Sequence, residues 1–178
     1  MIDIFTTHDA PSRPIPSVEW LHSPAKPALQ VASAIDRVRR TPSILEAMRS
    51  KTDLLRVTAD SLDDGIRPAY LLEPIREAIS DASDTVTGLA AVHALALLPG
   101  SMADADLADL VFDAAPGFEE HAAWAAGQRT PTPWLIDVLA GALPRGGVTG
   151  MHAQAALARW SSVDAVTVLA ALERHLHR

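Results

Sequence analysis

Several residue types are rare or missing in this chain, and each absence excludes a class of protein. Cysteine is absent, which excludes a disulfide framework and thiolate chemistry and is typical of a reducing compartment. Aromatic residues make up only 4% of the chain, which disfavours an enzyme that stacks nucleic acid bases on aromatic side chains. No apolar run approaches the length of a membrane span, and no charged-then-apolar leader opens the sequence. We therefore expect a cytoplasmic protein with no membrane segment.

Sequence motifs of catalysis and cofactor binding are missing as well. There is no nucleophile elbow, phosphate-binding glycine loop, dinucleotide fingerprint or paired-histidine metal helix. The seven histidines are the best remaining candidates for chemistry, and His121 and His152 are expected on neighbouring helices. Zinc would need further ligands, so solvated or hydrogen-bonded histidines are the simpler interpretation. We expect no catalytic residue, no metal and no cofactor.

Positive charge is scarce over most of the chain. The net charge is −7, and residues 60–120 hold thirteen acidic side chains against only Arg67 and Arg76. Because nucleic acid binding requires the neutralisation of phosphates, this balance disfavours a nucleic acid partner. A field of this sign steers basic partners instead. The spacing of Asp106, Asp109 and Asp113 predicts one solvated helix face.

The residue that the chain has in abundance is alanine. It occurs 32 times in 178 residues, a length that suits a single domain, and it favours closely packed helices over sheets. Similar alanine-rich units occupy residues 81–95, 113–129 and 146–160. The triplet Val-Thr-Gly recurs at 86–88 and 148–150, which is two repeat lengths apart. Self-similarity at this period predicts a helical solenoid. The bias toward alanine and arginine is typical of a GC-rich bacterial genome.

Apolar periodicity and turn residues predict roughly nine helices. From residue 71 an outer helix alternates with an inner one, and a last helix spans 163–176. The outer helices are predicted at 71–80, 103–112 and 133–142, and the inner ones at 85–98, 117–128 and 147–160. The first half is less regular. Its predicted helices lie at 28–40, from a cap at Thr41 toward Arg49, and at 53–62.

An extended arm precedes the helices. Five prolines lie within residues 1–27, so we expect no regular helix there and divide the chain into this arm and a repeat domain at 28–178. Trp20 is a large aromatic in an otherwise polar arm. The arm is either a disordered tail or a segment that docks through Trp20, on its own repeats or on another protein.

The repeating units resemble short HEAT repeats of the kind found in phycobiliprotein lyases. That family's inner helix has a turn aspartate, an apolar residue, an alanine pair and a further Ala-Leu. The match here is Asp113, Phe118, Ala122-Ala123 and Ala125-Ala126, and it recurs from Asp81. The third unit, from Val148, has no turn aspartate. Thr87, Glu119 and Thr149 stand where the family has arginine, so the family's Arg–Asp ladder is not expected. The resemblance implies an all-α fold, a short right-handed α-solenoid, and it does not specify a function.

A second resemblance is looser. The runs Glu120–Ala125 and Gly146–Gln154 are similar to HEAT segments that accompany bacterial glycosyltransferases. That resemblance implies an accessory or adaptor role beside a sugar-transfer enzyme, and not the transferase activity itself.

Helix geometry predicts a binding surface. If the apolar residue of each unit (Val86, Phe118 and Val148) and the alanine pairs face neighbouring helices, the residues three and six positions after the apolar residue face the concave side. This row is unusually apolar, and tryptophan in such a groove is a common binding hot spot. The predicted partner-binding residues are Leu89, Val92, Glu120, His121, Trp124, Met151, Gln154 and Trp20. Two alternatives remain open: the row belongs to the core, or the arm covers it and places Trp20 near Trp124.

The sequence therefore predicts a non-catalytic scaffold or adaptor that binds another protein through its concave face. The partner would be an enzyme such as a glycosyltransferase. The alternatives are a lyase-like or chaperone-like protein acting on a small-molecule group, and a helical-repeat DNA glycosylase, which the negative charge disfavours. Homo-oligomerisation through the N-terminal half is also open.

Overall fold

A computed structural model describes residues 25–41, 43–81, 84–113, 115 and 117–176, so residues 1–24 of the predicted arm, Trp20 among them, lie outside these ranges. The described residues form nine α-helices and one 3-10 turn and contain no strand, which confirms the all-α class. The helices are α1 (Ala25–Arg39), α2 (Ile44–Asp63), α3 (Pro68–Ser80), α4 (Thr85–Leu95), α5 (Ser101–Asp113), α6 (Phe118–Gly127), α7 (Pro133–Ala142), α8 (Gly147–Trp160) and α9 (Ala165–Leu176). The 3-10 turn, Leu143–Arg145, joins α7 to α8. No helix of the described ranges has the length and apolarity needed to cross a membrane.

Local signals set the starts of four helices, α2, α3, α4 and α7. Ser43, Asp84 and Thr132 cap α2, α4 and α7, and each side chain accepts a hydrogen bond from a backbone N–H of the first turn. Pro68 and Pro133 occupy the first positions of α3 and α7, where the missing N–H has no helical partner to lose. These residue types explain why the outer and inner helices fall close to their predicted places.

The first half of the chain departs from prediction in two places. α2 is one continuous helix, because residues 44–63 contain neither glycine nor proline and Thr52 satisfies its hydroxyl by donating to the carbonyl of Met48. The predicted break between Arg49 and Asp53 was therefore wrong. α1 begins at Ala25, three residues before the predicted domain start, since Pro27 is tolerated in a first helical turn.

The helices contact one another in two rows. The inner helices α4, α6 and α8 contact in that order, and α5, α7 and α9 do likewise. Successive helices also pack as pairs: α3 with α4, α5 with α6, and α7 with α8. At the N-terminal end α1 packs on α2, α3 and α4, and α2 also contacts α4. α4 is therefore covered on a side where α8 has no equivalent neighbour among the described helices.

Small residues form the contacts between inner helices, as predicted. The alanine pairs of α4 and α6 are buried. Gly127 lies so close to α8 that an added Cβ would sit 2.9 Å from the Cβ of Ala156. In α8 the buried alanines are Ala153 and Ala156, whereas Ala155 of the predicted pair is exposed. Close helix approach thus depends on side chains that occupy almost no space.

Arginines join successive helix pairs. Arg129 donates to the carboxylate of Asp104 and to the carbonyls of Leu95, Leu98 and Gly100. Arg159 donates in the same way to the carbonyl of Gly127. These guanidinium groups donate to carbonyls at and beyond the C-terminal ends of α4 and α6, where fewer backbone N–H groups are available as partners.

A second arginine contact changes one prediction. Arg76 of α3 binds Asp106 of α5 through two hydrogen bonds of 2.8 and 2.9 Å. Asp106 is therefore part of an interhelical ion pair and not simply a solvated carboxylate. An Arg–Asp contact between repeats exists here although the family's motif position does not hold arginine.

Arg129 is expected to be a main determinant of stability. Its side chain and that of Asp104 are only 7% and 8% exposed, so Arg129→Met leaves a buried carboxylate without its cation and removes three hydrogen bonds to backbone carbonyls. We expect the free energy of unfolding to fall by about 3 kcal/mol or more. Urea denaturation measures this change. The control is Arg174→Met, which removes an exposed pair with Asp137 and should cost under about 1 kcal/mol. Equal losses in both variants would contradict the assignment.

Candidate functional site

A large concavity lies between α2 and α4. We call it the α2–α4 groove; its volume is about 610 Å³. Helical spacing places one set of α2 side chains and one set of α4 side chains on its two walls. The α2 wall is Ala47, Met48 and Lys51, and the α4 wall is Val86, Leu89, Ala90 and His93. The groove is therefore apolar along most of its length.

The two ends of the groove differ chemically. At the end where α2 and α4 begin, Arg39 of α1 lies 3.9 Å from Asp84 and also pairs with Asp81 at 2.9 Å. At the other end stand Lys51, His93 and His121 of α6. The two ends are separated by about eight residues of helix, or roughly 12 Å at the usual rise.

Two histidines and a tryptophan form the far end. The Nε2 atom of His93 lies 2.7 Å from the Nδ1 atom of His121, within hydrogen-bond distance. The ring of His93 stacks on Trp124, with centroids 4.3 Å apart and an angle of 26° between planes. Because α4 and α6 are held close by alanines, residues 28 positions apart in sequence meet directly. We call this end of the groove, which comprises His93, His121, Trp124 and Lys51, the histidine end.

Both histidines are held in the neutral form. Burial lowers the pKa of His93 to about 4, and the positive charge of Lys51 and the neighbouring His121 act in the same direction. Burial also lowers the pKa of His121, helped by Lys51 and His152 and opposed by Glu120. At neutral pH one ring therefore donates a hydrogen bond and the other accepts it. Lys51 is then the cation of the histidine end.

The structure separates the predicted site residues into groups. Leu89 and His121 line the groove, and Trp124 supports it from behind through His93. Glu120 is partly buried beside His121, while Met151 and Gln154 are exposed on α8 and lie outside the groove. Trp20 lies outside the described residues.

Val92 was predicted wrongly as a surface residue. It is 0% exposed, because α4 is covered by neighbouring helices that α8 lacks. The predicted row therefore does not form one continuous surface. Its α4 members are buried or line the groove, and its α8 members face solvent.

Sequence reasoning missed the other wall of the groove and one of its histidines. His93 lies one repeat before His121, and this spacing was the available signal. Met48 and Lys51 lie on α2, outside the regular repeats, and no sequence signal pairs them with α4. Val86 was expected to face a neighbouring helix, but it is 56% exposed at the mouth of the groove. Among the described residues, no group of three or more potential ligands is arranged to hold a metal ion.

The lowered pKa of His93 predicts a pH dependence of stability. Between pH 6.5 and about 4 the unfolded chain binds a proton at this residue that the folded chain does not, so stability is complete above this window and falls within it. We expect His93 to account for about 2 kcal/mol of this loss, allowing for its partial exposure. Denaturant unfolding at the two ends of the window should show a smaller loss for His93→Gln than for wild type. An imidazole signal of His93 that titrates near pH 6.5 in NMR would contradict the assignment.

The chain was also compared with known proteins. No family model, curated protein or solved structure matches it. The function is therefore argued from the groove and its chemistry.

Proposed function

We propose that this protein is a non-catalytic adaptor that binds a segment of another protein in the α2–α4 groove. The helix pairs are, in this proposal, a short right-handed HEAT-like solenoid with the groove on its concave side. The observation that carries the proposal is the groove itself, a long apolar concavity with a rigid aromatic end. An enzyme such as a glycosyltransferase is the kind of partner that the second family resemblance suggests.

The walls of the groove favour a partner with apolar side chains. Met48 and Val86 both line the groove and are 59% and 56% exposed, so apolar surface on both helices faces solvent. Burial of such surface is the main driving force of helix-in-groove recognition. A groove about 12 Å long accommodates two turns of a partner helix. His93 and Trp124 are already stacked, so little conformational entropy is lost at that end on binding.

The polar groups of the groove support binding better than catalysis. His93 and His121 use ring nitrogens on each other, and Asp84 caps its own helix through Thr87. A general base needs a free acceptor aimed at a substrate and a pKa near the working pH. The lowered pKa of His93 lies well below neutrality.

A second candidate function is the holding of a small-molecule group, as in lyase-like or chaperone-like HEAT proteins. The volume of about 610 Å³ lies within the usual range of small-molecule sites, and the lining is mostly apolar. In that case the isolated protein would bind a small apolar compound without any protein partner. Nucleic acid binding has less support, since the net charge is −7.

Substitutions at the mouth of the groove test the adaptor proposal. Val86→Glu places a negative charge in the groove. The helix itself should tolerate the change, because Val86 lies in the first turn of α4, where the helix dipole favours an acidic side chain. We expect it to weaken partner binding at least tenfold with no loss of helicity. The measurement is affinity capture from the native host, followed by titration with the purified partner.

A matched control exists on α9. Val166, like Val86, is the second residue of its helix, and it is 80% exposed. Val166→Glu should bind the partner as wild type does. Equal binding by all three proteins would contradict the proposal, as would retention of a small molecule and no protein.

A further inference from the structure

We propose that Lys51 recognises a carboxylate on the bound segment, so that the partner presents an aspartate or glutamate one helical turn from an apolar anchor. This inference rests on the proposed function and names the chemistry of the partner. It follows from the charges that line the groove and from what docking would do to them.

Lys51 is the cation at the groove that has no counter-ion among the described residues. Arg39, the other cation, is paired with Asp36, Asp81 and Asp84. The nearest acid along α2, Asp53, pairs with Arg56 at 3.6 Å. The groove therefore carries one uncompensated positive charge, and it lies at the histidine end.

The groups that face Lys51 cannot neutralise it. His93 and His121 act on one another through a hydrogen bond, and their pKa values are lowered, so both are uncharged at neutral pH. His152 of α8 and Glu120 of α6 influence His121 in opposite directions. Among these residues only Glu120 carries negative charge, and no ion pair joins it to Lys51 in the described structure.

Docking of an apolar segment raises the free-energy cost of leaving the Lys51 ammonium group without a partner. An apolar segment that fills the groove removes water from the ammonium group, and an ammonium group buried without a partner is strongly unfavourable. A carboxylate on the segment restores the lost interactions and forms a charge-assisted hydrogen bond. An apolar partner without an acid would bind weakly for this reason alone.

The spacing of partner residues follows from α2. Met48 and Lys51 are three residues apart, so the apolar wall and the ammonium group are separated by about one helical turn. A helical partner matches this spacing with an apolar residue at position i and an acid at i+3 or i+4. The acidic residue points to the histidine end, and the apolar anchor lies between Met48 and Leu89.

The test is a selection from a display library of random peptides about four helical turns long. Purified wild type, Lys51→Glu and Val86→Glu proteins are the baits, and Lys26→Glu, which changes the only other lysine, is the control. We expect wild type and Lys26→Glu to enrich peptides with an apolar residue and an acid one turn apart. Lys51→Glu should enrich basic residues at that position, and Val86→Glu should lose the enriched family.

A double-mutant cycle then measures the contact. The best peptide and its counterpart with the acid changed to an amide are titrated against wild type and Lys51→Met by fluorescence anisotropy. Loss of the acid should weaken binding to wild type about tenfold and leave binding to Lys51→Met nearly unchanged.

Four outcomes would overturn the inference, and they bear differently on the proposed function. Groove-binding peptides without an acid, or the same acid preference in Lys51→Glu, would remove the carboxylate contact and leave the adaptor intact. If Val86→Glu weakens the binding of no selected peptide, both the carboxylate contact and the proposed function are wrong. Lys51-dependent binding of octanoate, with no such binding of 1-octanol or of any peptide, would assign the carboxylate to a small molecule.

Discussion

The close approach of the inner helices is the constraint on which the rest of this structure depends. α4, α6 and α8 touch through alanines and glycines, and at Gly127 there is no room for a single added carbon. Helices this close bring residues from successive repeats into direct contact. The pairing of His93 with His121, and the reach of Arg129 to the end of α4, are both consequences of that distance.

Close packing also determines the electrostatics of the groove. The histidine end is enclosed by α4 and α6, so both rings lose solvent and their pKa values fall. Lys51 comes from a different helix, α2, and lines the groove beside that enclosure. One end of the groove is thus an unpaired cation beside neutral rings, and the other end is an ion-paired arginine. Because the two ends of the α2–α4 groove are unlike, a segment bound there as proposed would have one preferred chain direction.

The sequence predicted the helices far better than it predicted the groove. Alanine pairs, proline starts and capping residues are local signals, and they located the outer and inner helices within a few residues. Exposure depends on which helices lie above a given position, and no local pattern reports that. Val92 and Gln154 occupy equivalent repeat positions, yet one is buried under neighbouring helices and the other faces solvent. α2 forms half of the groove, and its sequence lies outside the repeat on which the predictions were built.

The position of α2 has a consequence for stoichiometry. On a surface made of equivalent repeats, a ligand can bind at several equivalent positions. The number of ligands bound then rises with the number of repeats. Here α2 lies outside the repeat and packs on α1 and, among the inner helices, chiefly on α4, so the groove forms once among the described helices. Repeats added beyond α9 would lengthen the protein without adding a second groove. Because α2 does not share the pattern of the later helices, the proposed binding of a partner would take place at one position on the protein.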